Sequence, residues 1–157
     1  MTNNNSIENR RDIAVNRRAK FDYSIEDTIE AGIVLTGTEI KSLREGQASI
    51  VESYADHKNG EIFLVNANIP EYKQANRFNH YPKRVRKLLL RKKEINKLAG
   101  LLEKKGYTLV PLSIYINKRN LAKIALGLAK GKKQHEKRDA IKEREWQRRK
   151  AQVIRES

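Results

Sequence analysis

Ser53-Tyr-Ala-Asp-His-Lys58 and Glu61-Ile-Phe-Leu-Val-Asn-Ala67 flank the pair Asn59-Gly60. Asn-Gly tolerates positive φ at both central positions of a type I′ turn, so the stretch is predicted to be an antiparallel β-hairpin. A second hairpin lies downstream. Leu112, Ile114 and Ile116 alternate with Ser113, Tyr115 and Asn117; Ala122, Ile124, Leu126 and Leu128 return after a turn at Asn117–Asn120. Pro111 cannot donate to a ladder, so it marks an edge or a bulge. Upstream, Ile25 to Leu35 is rich in β-branched residues and interrupted by Gly32, with Gly37 and Gly46 beyond. In a strand pattern such glycines predict bulges or sharp bends, which a barrel needs to close. Between the hairpins, Lys92–Lys105 puts Ile95, Leu98, Leu101 and Leu102 on one helical face. Lys104 and Lys105 in a last turn would suit the helix dipole, and Gly106 would stop the helix. Together these predict a mainly β chain with flanking α: a small closed antiparallel barrel of about six strands carrying helices.

The chain has 157 residues, room for one compact domain plus appendages. It is 38% hydrophobic and 34% charged, with net charge +15, which makes nucleic acid the first partner class and an anionic membrane surface the second. It has no cysteine, which removes disulfides, thiolate metal sites and a cysteine nucleophile, and fits a reducing compartment such as the cytoplasm. MTNNNSIENRR lacks the apolar region of a signal peptide, and no apolar run approaches the ~20 residues of a membrane span. Residues 1–10 read as a disordered lead-in, 11–130 as the folded body and 131–157 as a basic tail.

From Lys130 to Ser157 there are eleven Lys/Arg against five Asp/Glu and few core-forming side chains. Such a segment cannot fold on a core of its own and calls for a polyanion, RNA first. If 137–155 becomes helical, Lys137, Arg144, Arg148 and Arg155 fall within about 40° at 100° per residue. Arg138, Lys142 and Arg149 form a second band beside Trp146 and Val153, while Asp139 and Glu143 lie away from the first stripe. Ile141, Ala151 and Ile154 point elsewhere, so no core stripe forms. The predicted state is a tail disordered alone and helical against an anionic groove, with Trp146 stacking; a solvated basic tail of non-specific affinity is the alternative.

Glu26, Asp27 and Glu30 form an acidic cluster. A metal site or acid/base pair, as in a nuclease, is one reading; a solvent-facing strand is the simpler one, since no histidine is near and no spacing suits a metal. His57 beside the turn reads as exposed. His80 sits in the basic stretch Asn76–Arg91 (Arg77, Lys83, Arg84, Arg86, Lys87, Arg91), where it could stack on a base or play no such role. Tyr81-Pro82 marks a turn there. Gly127 and Gly131 belong to no phosphate loop. No catalytic set assembles from spacing, and no cofactor or metal is implied.

The strings NRRAKFDYSIED, IEAGIVLTGTEIKSLREGQASI, SYADHKNGEIFLVNANI, RKLLLRKKEI, GYTLVPLSIYI and LAKGKKQHEKRDAIKEREWQRR resemble the SmpB family. These are the small partners of transfer-messenger RNA (tmRNA) in bacterial ribosome rescue. The resemblance covers the chain from about Ile13 onward. It implies an oligonucleotide-binding (OB)-like barrel and a non-enzymatic adaptor that grips the tRNA-like domain of that RNA. The protein would stand in for the missing anticodon arm, and the tail would enter the empty message channel by the small-subunit decoding centre. It also implies elongation factor Tu as a partner through the RNA, a monomer, and no membrane. Residue by residue, it implies Asn16, Arg17, Glu30 and Leu90 as RNA-binding. In the tail it implies Gly131, Lys132, Lys133, His135, Glu136, Lys137, Arg138, Trp146 and Ile154, to which the helical stripes add Lys142, Arg144, Arg148 and Arg149. Glu136 stands where the family commonly has Asp, and Thr38 where a Trp is common. A metal-dependent nuclease and a structural ribosomal protein with a basic extension are the alternatives.

Overall fold

The computed structural model describes residues 10–75, 77–104, 106–131 and 134–156. Asn59 and Gly60 take φ of 52° and 77°, as the turn demands, and join β3 (Tyr54–Lys58) to β4 (Glu61–Val65). The second hairpin joins β6 (Tyr107–Ile116) to β7 (Ala122–Gly131), with Asn120 at φ 64° in its turn. Its register slips between Pro111 and Ser113, the bulge that proline forecasts. That slip changes which side chains face inward. Ile114 and Leu109 join the core, whereas Leu112 packs in a separate cluster with Ala19, Val110 and Ala129. Ser113 and Tyr115 are buried although they stand on the opposite face from Ile114.

The remaining strands are β1 (Arg11–Val15), β2 (Tyr23–Ile33) and β5 (Arg86–Leu89). The sheet runs β1-β6-β3-β4-β5-β2-β7, and β7 pairs back onto β6. Six strands therefore close a ring, with β1 added outside on β6. Two of the seven, β1 and β5, are not foreseen above. Each is short, and neither has an alternating apolar pattern to betray it. Inside the ring lie Ile62, Leu64, Leu88, Leu109, Ile114, Ile124 and Leu126, all buried.

The helices are α1 (Ala19–Asp22), α2 (Gly37–Arg44), α3 (Lys92–Leu102) and α4 (Gln134–Glu156). Gly37 is the first residue of α2 rather than a bend; Gly46, at φ 81°, turns the chain after it. Thr36 caps α2: its hydroxyl takes the Glu39 amide and the Glu39 carboxylate takes the Thr36 amide. The sequence signal is T-x-x-E, a capping box. Helix α3 buries Ile95 and Leu98 as expected but ends at Leu102, so Lys104 falls beyond it; Lys105 lies outside the described residues. The tail predicted to become helical forms α4. Its Glu, Lys, Arg and Gln are strong helix formers, Gln147 bonds Glu143 one turn back at 2.9 Å, and Arg144 lies 5.5 Å above the Phe21 ring of α1. Among the described residues no helix is long and apolar enough to cross a membrane.

Candidate nucleic-acid interface

Strand register lines up Glu30, Ala125, Ser113 and Val15 across β2, β7, β6 and β1. Inward neighbours Ala31 and Ile33 belong to the core, so Glu30 and Thr28 stand on the outer face. A cleft of about 490 Å³ opens there, lined by Arg10, Asn16, Arg17, Lys20, Thr28 and Ser113 among others. Arg17 and Lys20 are exposed cations at its rim.

Asn16 is fixed from both sides. Its amide N–H donates to the Leu112 carbonyl at 2.8 Å and its Nδ2 to the Pro111 carbonyl at 3.1 Å. The carbonyls are those of the β6 bulge. Asn16 Oδ1 is buried without a hydrogen-bond partner among the described residues. A buried acceptor left unpaired costs about 1–3 kcal/mol, so an incoming donor is rewarded.

Glu30 accepts from the Tyr115 hydroxyl. Tyr115 is buried, and Arg10 lies 4.4 Å above its ring while bridging to Asp12 at 3.1 Å. Burial, then the Glu30 carboxylate, push the Tyr115 phenol above its usual 10, so it stays a donor. One Glu30 oxygen is thereby anchored and the other can accept from a base or sugar. Glu26 and Asp27 are exposed on the same strand, and Asp27 accepts from the Thr28 amide at 2.9 Å. Among the described residues no group of three or more His, Cys, Asp or Glu is placed to hold a metal.

The leucines of RKLLL separate by strand alternation. Leu88 is buried, Leu90 is half-buried against the core, and Leu89 is 52% exposed beside Gly32. Leu89, not Leu90, is the leucine presented outward near Glu30. His57 is half-buried. His80 is buried with both ring nitrogens engaged, Nδ1 at 2.9 Å from Thr38 Oγ1 and Nε2 at 2.8 Å from the Ile69 carbonyl, so it does not stack on a ligand. Thr38 thus braces the loop.

Gly131 ends β7 opposite Tyr23. Lys132 and Lys133 lie outside the described residues; His135, Glu136, Lys137 and Ile154 are known only as backbone of α4. Arg138, Lys142, Arg144, Arg148 and Arg149 are exposed on that helix, as is Trp146, at 58%.

Sequence reading misses the buried ion pair that holds β5 under α2. Glu39 and Arg86 have no exposed side-chain surface; Arg86 Nε donates to Glu39 Oε2 at 2.5 Å and Arg84 Nη2 to Oε1 at 2.5 Å. Arg86 also donates to the carbonyls of Ala67 and Pro82, each at 2.9 Å. Burial raises the Glu39 pKa, but hydrogen bonds from Arg84, the Thr36 amide and Arg86 outweigh it and hold the carboxyl at about 2, against 4.5 unperturbed. A depressed carboxylate stabilises the fold fully above 4.5, and that contribution is lost as pH falls toward 2. Urea midpoints should therefore drop between pH 5 and pH 2.5 in the wild type and drop less in Glu39→Gln. Equal falls in the two proteins would refute this.

A family model described as SmpB protein matches residues 13–156. The chain is 62% identical over 143 residues to the SsrA-binding protein of Nitrobacter hamburgensis, covering 91% of each, and 63% identical over 143 residues to that of Rhodopseudomonas palustris strain BisB18, again 91% of each. It is also similar to a solved chain described as "tmRNA-SmpB: a journey to the center of the bacterial ribosome". That similarity has TM-score 0.65 and 48% identity, over 81% of this chain and 92% of the other.

Proposed function

Because the chain belongs to the SmpB family, we propose that it is an RNA-binding adaptor of trans-translation rather than an enzyme. The ring is an OB-like barrel whose outer β1-β6-β7-β2 face takes the tRNA-like domain of transfer-messenger RNA. The complex is delivered to stalled ribosomes in the cytoplasm, with elongation factor Tu engaged through the RNA. A single copy stands in for the anticodon arm. The body, 11–130, does the gripping; the tail, 131–157, enters the message channel at the small-subunit decoding centre as a helix.

The observation that carries this is the outer face itself. It joins an unpaired buried acceptor, Asn16 Oδ1, an anchored carboxylate, Glu30, and the exposed cations Arg17 and Lys20. Acceptors read donors on bases and sugars, while the cations hold phosphates. Lys and Arg alone would give affinity without selectivity. The nuclease alternative is dropped, the family being one of non-catalytic RNA-binding proteins.

A salt-titrated binding assay tests the proposal. It compares a tRNA-like acceptor/elbow RNA with a plain duplex of equal length. Wild type should prefer the tRNA-like RNA by a margin that survives raised salt. Asn16→Ala and Glu30→Gln should each weaken that RNA alone, by roughly 5- to 150-fold for about 1–3 kcal/mol of lost pairing. Equal binding to both RNAs would leave only a non-specific basic protein.

A further inference from the structure

The loop 70–85, between β4 and β5, leaves two large aromatics in water: Phe78 is 86% exposed and Tyr81 70%. The loop is held in place. Asn79 Nδ2 donates to the Tyr72 carbonyl at 2.8 Å, and its Oδ1 takes the Tyr72 amide at 3.1 Å. His80 bridges the Ile69 carbonyl and Thr38, and Arg86 ties down the Pro82 carbonyl. Arg84 and Arg86 turn inward to Glu39, whereas Lys73, Arg77 and Lys83 stay exposed on the same connection. Braced π faces among cations match an unpaired nucleobase and its phosphates. An acidic protein surface would use the cations and leave the rings idle.

We propose that Phe78 and Tyr81 form a second RNA contact, a stacking platform for an unpaired base of the carried RNA. The platform is separate from the Asn16–Glu30 face, and this assignment rests on the adaptor reading above. Position favours the carried RNA over ribosomal RNA. The tail leaves the ring beside Tyr23, while the loop stands past Ile33, where Arg84 reaches the Val34 carbonyl. The 11 residues of β2 separate these ends by roughly 35 Å. With the tail in the message channel, the loop faces away from it.

The test uses full-length protein and its Phe78→Ala, Tyr81→Ala, Phe78→Trp and Lys83→Gln variants. Each is titrated over a salt series against the tRNA-like RNA and, in parallel, against purified small ribosomal subunits. Phe78→Ala and Tyr81→Ala should weaken the tRNA-like RNA about 5- to 100-fold without changing the salt slope, because stacking releases no counterions. Lys83→Gln should flatten that slope by about one, and Phe78→Trp should keep wild-type affinity. An unchanged thermal midpoint for Phe78→Ala shows that the fold is intact. If both alanine variants match a wild type that prefers the tRNA-like RNA, the platform is wrong and the adaptor reading stands. A loss confined to ribosomal subunits moves the contact to ribosomal RNA and equally overturns it. A wild type with no preference removes the adaptor reading, and with it the RNA assigned to the platform.

Discussion

Glu39→Gln should cost about 3–5 kcal/mol at neutral pH, the loss expected when one partner of a buried ion pair is removed and the other stays. Gln keeps the shape and one acceptor but leaves Arg86 buried with no countercharge. Burial already lowers the Arg86 pKa, and Glu39 is the group that opposes that shift. The damage should reach further than α2. Arg86 pins the Ala67 and Pro82 carbonyls, so a displaced guanidinium also loosens the loop that leads into β5. Urea unfolding measures the cost, and at roughly 2–4 °C per kcal/mol the thermal midpoint should fall by about 10 °C. Arg86→Lys should be similarly damaging, because a single ammonium cannot serve the carboxylate and two carbonyls in this fork geometry. A loss below about 1 kcal/mol in Glu39→Gln would mean that solvent reaches the pair.

A chain ending at Gly131 should bind the tRNA-like RNA within about threefold of wild type, since the tail adds no paired strand to the gripping face. The cut belongs after Gly131 because Gly131 pairs with Tyr23 and Lys130 with Tyr107, so β7 stays whole and the ring stays shut. Rescue of stalled ribosomes should fall to background, because the exposed cations of α4 and Trp146 are gone. The pair of results separates gripping from channel entry. Loss of RNA binding in the 1–131 chain would place the grip in the tail and dismantle the division of labour proposed here. Rescue that survives the cut would remove the channel-entry role.

Particular residues show what was legible. Asn59-Gly60 announces its hairpin because the positive φ it needs is a property of two residues. Pro111 announces a bulge because it lacks an N–H. Thr36-Gly-Thr-Glu39 carries the capping-box pattern of α2, yet the glycines beside it invite the reading as a bend. Asn16, Arg17 and Glu30 point to the interface only through resemblance; their spacing along the chain says nothing. Leu88 and Leu89 are alike in sequence, and only the pleat of β5 separates the one facing the core from the one facing outward.

By itself, the sequence determined the local and the summed properties: two hairpins, the amphipathic α3, the basic tail, and a net charge of +15 that demands a polyanion. Those follow from the conformational preferences of a few neighbours or from simple counting. Tertiary structure alone decided the closure of six strands into a ring, the burial of Glu39 with Arg86 across 47 residues, and the meeting of Glu30 with Tyr115 across 85. These are long-range pairings, set by strand register and by the cost of leaving a buried charge or carbonyl unpaired. No window of sequence contains both halves of them.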